Sequence, residues 1–249
     1  MKIDLENRIA LVSDGSNDIG KAICIQLAES GARVIGLTAN KDDISKSKAH
    51  FKKSGLDIKL LYVDITDFAA CKKMVNQVES ELGNIEIVVN NSEYSVQRAF
   101  SKLSQQQWSE SMKVNLDSVY NLCRLICEGM TERGFGRVIN ISSMYGRKGE
   151  VNQSAYAASK SGVHGFTMAL AQELARKGVT VNTVSPGHIK TVEIESMKTS
   201  DANNIVAEIP AARFGETNEV ASLVDFLCSK QASFITGTDI SINGGQYIH

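Results

Sequence analysis

Seven short runs of β-branched and apolar residues, spread along 249 residues, constrain the fold more than any other feature of the chain. They are Arg8–Val12, Arg33–Leu37, Ile58–Val63, Ile85–Val89, Arg137–Ile141, Val179–Val184 and Asp239–Ile242. Segments long enough for a crossover helix separate the first six. Strands joined that way run parallel and are covered on both faces. The pattern predicts an α/β fold, a doubly wound seven-stranded parallel sheet with helices on both faces. Only two prolines occur, Pro186 and Pro210, and no Gly/Ser/Pro-rich linker interrupts the chain, so residues 1–249 read as a single domain. The rhythm breaks at about residues 189–213, where Met197, Ile205 and Ile209 stand among polar residues. That segment reads either as a mobile helical insertion closing over a ligand beyond the sixth strand or as an ordinary surface helix pair.

Charge and composition narrow the partners. Hydrophobic residues make up 43% of the chain, ample for a core, and 27 basic against 28 acidic residues leave a net charge of -1. No global field favours nucleic acid or an anionic membrane, so small molecules are the expected partners. Lys46, Lys48, Lys52 and Lys53 cluster without aromatic interleaving and read as a solvated helix face. Residues Met1–Arg8 contain no apolar stretch of signal-peptide length and no run approaches a membrane span, so a cytoplasmic protein is expected. Five cysteines, Cys24, Cys71, Cys123, Cys127 and Cys228, are odd in number and sit in apolar helical patterns. They read as reduced core thiols, and Cys123 and Cys127 lack the further ligands a zinc site needs. No metal is expected.

Chemistry concentrates in Ser154-Ala-Tyr-Ala-Ala-Ser-Lys160, which follows the strand ending at Ser142-Ser143. Tyr156 and Lys160 share one helix face at i, i+4 spacing. A tyrosine pKa is about 10, and a neighbouring ammonium is expected to lower it. Ser143 could hydrogen-bond the same carbonyl oxygen that the phenol protonates. The first strand leads into Ser13-Asp-Gly-Ser-Asn-Asp-Ile-Gly20, the place of a dinucleotide-binding turn.

Strand, glycine turn, Asp64, the Asn90-Asn91 pair, Asn115, Ser143, Tyr156, Lys160 and Pro186-Gly187 follow one another in the order and spacing of the short-chain dehydrogenase/reductase family. The resemblance covers the whole chain. It implies a Rossmann fold, oxidoreductase activity with a nicotinamide cofactor, and a catalytic tetrad of Asn115, Ser143, Tyr156 and Lys160. By resemblance Tyr156 is the general acid, Ser143 positions the carbonyl, Lys160 lowers the tyrosine pKa and binds the nicotinamide ribose, and Asn115 holds a water linking Lys160 to solvent. The implied cofactor set is Ser13, Gly15, Asn17, Ile19, Gly20, Asp64, Ile65, Asn90, Pro186, Gly187, Ile189 and Thr191. Asp64 would hold the adenine edge and Thr191 the carboxamide.

The chain departs from the family within this set. The family turn Thr-Gly-x-x-x-Gly-x-Gly is represented by Ser13, Asp14, Asp18 and Gly20, and Asn-Asn-Ala-Gly by Asn90-Asn-Ser-Glu93. Asp18 would oppose a pyrophosphate unless it turned outward, and Glu93 puts a side chain where backbone usually passes the ribose. No acid ends the second strand in Gly36-Leu-Thr-Ala-Asn-Lys41, which leans toward NADP (NADPH) over NAD, with Lys41 as phosphate partner.

Within the family, Arg133–Ser143, His164–Glu173, Gly178–Gly187 and Ile242–Gly245 resemble acetoacetyl-CoA reductases of polyhydroxybutyrate synthesis more closely than 3-oxoacyl-acyl-carrier-protein reductases. The implied reaction is NADPH-dependent reduction of acetoacetyl-CoA to (R)-3-hydroxybutyryl-CoA, with the acyl-carrier-protein reaction as alternative. A third reading, motivated by Asp14, Asp18 and Glu93, is a cofactor-poor relative acting as a binding or oligomeric partner. Substrate-side candidates are Gln153, Glu150, Val151 and His188, whereas His164 reads as structural. A homotetramer is implied, using the helices near Gln105–Met130 and Ala155–Lys177 with Val119, Leu122, Ile126, Phe166, Met168 and Leu170 as surplus apolar surface.

Overall fold

A computed structural model describes residues 3–248. Every expected strand forms: β1 Ile9–Val12, β2 Arg33–Thr38, β3 Lys59–Tyr62, β4 Ile85–Asn90, β5 Gly136–Ile141, β6 Val179–Pro186 and β7 Asp239–Ile242. They make one sheet in the order β3-β2-β1-β4-β5-β6-β7, parallel throughout. Helices α1 Asp18–Glu29, α2 Lys41–Lys53 and α3 Phe68–Leu82 connect the first four strands. After β4 come α4 Gln105–Met112, a π turn over Lys113–Asp117, and α5 Ser118–Arg133. Beyond β5 lie α6 Tyr145–Lys148 and α7 Ser154–Leu174, and beyond β6 lie α8 Val192–Glu195, α9 Thr199–Ala207 and α10 Thr217–Cys228.

Strand alternation sorts the apolar residues into two cores. Leu11, Ile35, Val88 and Val138 meet Met74, Val78, Leu122, Ile126 and Val163 from α3, α5 and α7 on one face. Ala10, Val12, Val34, Val89 and Ile139 meet Ile23, Leu27, Phe51, Val220 and Val224 from α1, α2 and α10 on the other. Burial on both faces explains why the central strands read as continuous apolar runs rather than as alternating ones. All five cysteines are buried and unpaired by disulfides, and no helix among the described residues is long and apolar enough to cross a membrane.

The sheet order places the site. From β1 the chain winds outward to β2 and β3, and then in the opposite direction from β4 to β7. The crevice beyond the carboxyl ends of β1 and β4 is therefore the topological switch point, where open α/β sheets bind ligands. The segment after β6 is helical, as expected, and is tied at both ends. Ile189 bridges Gly215, Ile209 is buried, and the Ala211 amide donates to the Gly244 carbonyl at 3.0 Å.

Candidate active site

The turn after β1 is held from behind by serine and asparagine side chains. The buried Ser13 hydroxyl accepts from the amides of Asn91 (2.8 Å) and Ser92 (3.1 Å), which clamps the end of β1 to the end of β4. Asn17 caps α1, its Oδ1 accepting from the Gly20 amide at 2.7 Å, so that orphan donor of the first turn is satisfied. Gly15 lies against the β2 backbone, and a Cβ added there would come 2.8 Å from the Gly36 Cα. Ser13, Gly15, Gly20 and the interior Asn90, which donates to Asn140 Oδ1 at 2.8 Å, thus shape the crevice from behind.

Two cavities occupy the crevice. One of about 350 Å³ lies beyond β2 and β3, lined by Asp14, Thr38, Asp43, Tyr62, Asp64 and Ile65 among others. The other, about 870 Å³, lies beyond β5 and β6. It gathers Asn17, Ile19, Ser143, Tyr156, Pro186, Gly187, Ile189 and Thr191, together with Glu150, Gln153 and His188. Val151 is not in its lining and is 76% exposed. Met197, Ile205 and Glu208 from the α8–α9 segment reach the same cavity, although the sequence marks them only as part of a helical interruption.

Tyr156 and Lys160 lie on the buried face of α7. The Lys160 Nζ donates to the carbonyls of Ile141 (3.0 Å) and Ser92 (3.5 Å) and sits 5.7 Å from the Tyr156 ring centroid. Burial pushes the Lys160 ammonium pKa down, opposed by the charges of Glu93 and Asp14. The Tyr156 side chain shares the cavity lining with Ser143, as expected, and with Glu93. Its pKa moves opposite to the sequence expectation. Burial first, then Glu93, raises it well above the usual phenol value, with only Ser143 pulling it down. The reason is that Lys160 aims its ammonium at backbone carbonyls, while a carboxylate faces the phenol.

The π turn places Asn115 in the interior. Its Oδ1 accepts from the Tyr94 amide at 2.7 Å, and its Nδ2 donates to the Tyr94 carbonyl and the Ser159 hydroxyl. The asparagine side chain therefore ties the loop after β4 to α7. A helical register offset by one residue at a π turn is a common device at functional sites.

The acidic departures resolve differently from one another. Asp14 adopts φ +47°, a left-handed conformation that favours glycine, and Asn17 Nδ2 donates to its carboxylate at 2.8 Å. Burial raises its pKa, and Glu93 and Asp43 add to the rise. Asp18 neither caps α1 nor stands alone against the crevice: its Oδ2 accepts from the Val192 amide at 2.7 Å, linking the cofactor turn to the start of α8. Asp18→Ala is thus expected to cost about 1 kcal/mol or less and to speed amide exchange at Val192, whereas Asp18→Asn keeps an acceptor and most of the protection. Unchanged exchange in the alanine variant would mean that the contact does not hold the segment.

Two residues beside the cavity carry no signal in the sequence. Gln246 Oε1 accepts from the His188 amide at 3.0 Å, and its Nε2 lies 2.9 Å from His188 Nδ1. The Tyr145 hydroxyl lies 3.3 Å from His188 Nε2. Burial lowers the His188 pKa. His164 belongs to an interior network with Ser142 (3.0 Å) and Asp239 (3.8 Å), in keeping with a structural part.

Sequence comparison agrees with this geometry. The family described as enoyl-(acyl carrier protein) reductase matches residues 15–246. The chain is 40% identical over 245 residues to an acetoacetyl-CoA reductase of Cupriavidus necator, covering 98% of this chain and 100% of that protein. It is 39% identical to one of Allochromatium vinosum, covering 97% and 99%. A 3-oxoacyl-[acyl-carrier-protein] reductase of Vibrio cholerae is 36% identical, covering 99% and 100%.

Proposed function

Because the chain belongs to the short-chain dehydrogenase/reductase family, we propose that it reduces the ketone of a 3-oxoacyl thioester, acetoacetyl-CoA to (R)-3-hydroxybutyryl-CoA, with NADPH. The observation that carries this reading is the placing of Ser143 and Tyr156 together on the wall of the 870 Å³ cavity, backed by buried Lys160. The acetoacetyl-CoA reductases among its relatives support the substrate, and polyhydroxybutyrate synthesis in the cytoplasm is the setting we infer for that reaction. The acyl-carrier-protein thioester is the second reading, supported by the relative from Vibrio cholerae.

Ser143 donates to the substrate carbonyl and polarises it. Tyr156 breaks its O–H bond and protonates the same oxygen, leaving a phenolate whose ring centroid lies 5.7 Å from the Lys160 ammonium. When bound, the reduced nicotinamide supplies hydride to the carbonyl carbon. Thr191, Ile189 and Lys160 would hold that end, and Asp64 and Ile65 the adenine end. The crevice fits a dinucleotide in shape, since its two cavities flank the switch point. Lys41 Nζ lies 4.9 Å from the ring centroid of Tyr62, which lines the smaller cavity, and so supports a 2′-phosphate there. Gln153, Glu150 and His188 form the substrate side. Loss of NADPH absorbance on adding acetoacetyl-CoA tests the reaction. Turnover only with the acyl-carrier-protein thioester would select the second reading, and turnover with neither would overturn both.

A homotetramer remains part of this proposal, with one correction to its basis. Val119, Leu122 and Ile126 are buried in the chain's own core and cannot face a partner. The outward surface of α5 and α7 instead offers half-exposed Tyr120 and Met168 beside a 290 Å³ hollow lined by Phe166 and Leu170. Light scattering is expected to return four times the chain mass at micromolar concentration. A monomer mass would remove this part of the proposal.

A further inference from the structure

The two cavities of the crevice share a pair of acidic lining residues, Asp14 and Glu93. A dinucleotide at a switch point spans both sides, so its diphosphate would pass between or beside these carboxylates. We propose that Asp14 and Glu93 form an electrostatic gate across the cofactor crevice, with Glu93 standing on the Tyr156 side of it until the dinucleotide displaces it. The inference rests on the nicotinamide-dependent reading given above.

The two members differ in mobility. Asp14 is fixed by its left-handed backbone and by hydrogen bonds from Asn17 and the Ser16 hydroxyl. Glu93 is an exposed residue of the loop after β4, so opening moves Glu93 and leaves Asp14 in place. In the closed position the Glu93 carboxylate lines the same cavity as the one phenol that the reduction needs as a proton donor, and its charge raises that phenol's pKa. Lys160 donates to the Ile141 and Ser92 carbonyls and forms no ion pair with either carboxylate among the described residues, so no ion pair neutralises them. Asp43 adds like charge on the side of the smaller cavity, and Glu110 also lines it. The gate therefore acts twice: it repels a diphosphate and it sets a negative charge on the side of Tyr156. Salt weakens the repulsion.

Cofactor affinity and phenol ionisation test the gate without relying on turnover. NADPH titrations followed by cofactor fluorescence are expected to give a dissociation constant about ten-fold lower for Glu93→Gln than for the native chain at low salt. The gap should narrow at high salt, and Asp14→Asn, which keeps a residue tolerant of positive φ, should move in the same direction. Ultraviolet titration of the cofactor-free protein, with Tyr156→Phe variants identifying the Tyr156 signal, should show that phenol ionising at lower pH once Glu93 is glutamine. Equal or weaker binding by Glu93→Gln, an unmoved Tyr156 titration, or failure of every form to saturate with NADPH would each overturn the gate. An error in the substrate assignment would look different: no turnover of acetoacetyl-CoA, with the affinity and phenol differences intact.

Discussion

Tyr156→Phe is expected to lower kcat for ketone reduction by at least ~100-fold, the scale for loss of a general acid, while the fold and the NADPH dissociation constant change little. The substitution deletes one hydroxyl from a side chain that is 5% exposed and keeps its volume. The polar neighbours in the cavity are Ser143 and Glu93, of which Glu93 is exposed and can turn to solvent. Neither is left as a costly buried orphan on that account, because the Ser143 hydroxyl also accepts from the Tyr145 amide at 3.2 Å. Stopped-flow reduction of acetoacetyl-CoA, with circular dichroism as a control for folding, measures the loss. Activity within a few-fold of the native chain would show that the proton comes from another group.

Gly20→Ala is expected to have the largest effect on stability and to weaken cofactor binding with it. A Cβ at Gly20 would fall 2.1 Å from the Asp14 carbonyl oxygen, 2.9 Å from the Gly15 Cα and 3.0 Å from Asn91 Nδ2. Two of these are backbone atoms of the turn, so no side-chain rotation relieves the clash. The turn must separate from α1, at a cost of about 3 kcal/mol and a fall in Tm of roughly 6–12 °C. Gly165 supplies the control: it lies in α7 with nothing within 4 Å of an added Cβ. Gly165→Ala should leave Tm unchanged or raise it through better helix propensity. Equal melting temperatures for Gly20→Ala and the native chain would show that the turn is not packed as described.

The agreement between sequence and structure is best where the physical signal is local. Each strand announces itself as a short apolar run because both faces of a parallel sheet are buried. Tyr156 and Lys160 share a face because helical geometry alone requires it. The expected lowering of the Tyr156 pKa failed at a step that is not local. Whether an ammonium or a carboxylate dominates a phenol depends on where each side chain points, and Lys160 points at the Ile141 and Ser92 carbonyls. The apolar surplus assigned to an interface failed similarly, since Val119, Leu122 and Ile126 lie on the core side of α5.

By itself, the sequence determined the α/β class, the parallel doubly wound sheet, the family and the candidate residues Ser143, Tyr156 and Lys160, because periodicity and motif spacing are properties of neighbours along the chain. Tertiary structure alone decided what the unusual acids do. Asp18 meets Val192 across 174 positions, and Glu93 meets Tyr156 although different strands carry them into the site. Such pairings arise only when the switch point brings the carboxyl ends of β1, β4, β5 and β6 together. Electrostatic energy depends on those separations in space rather than on distance along the chain.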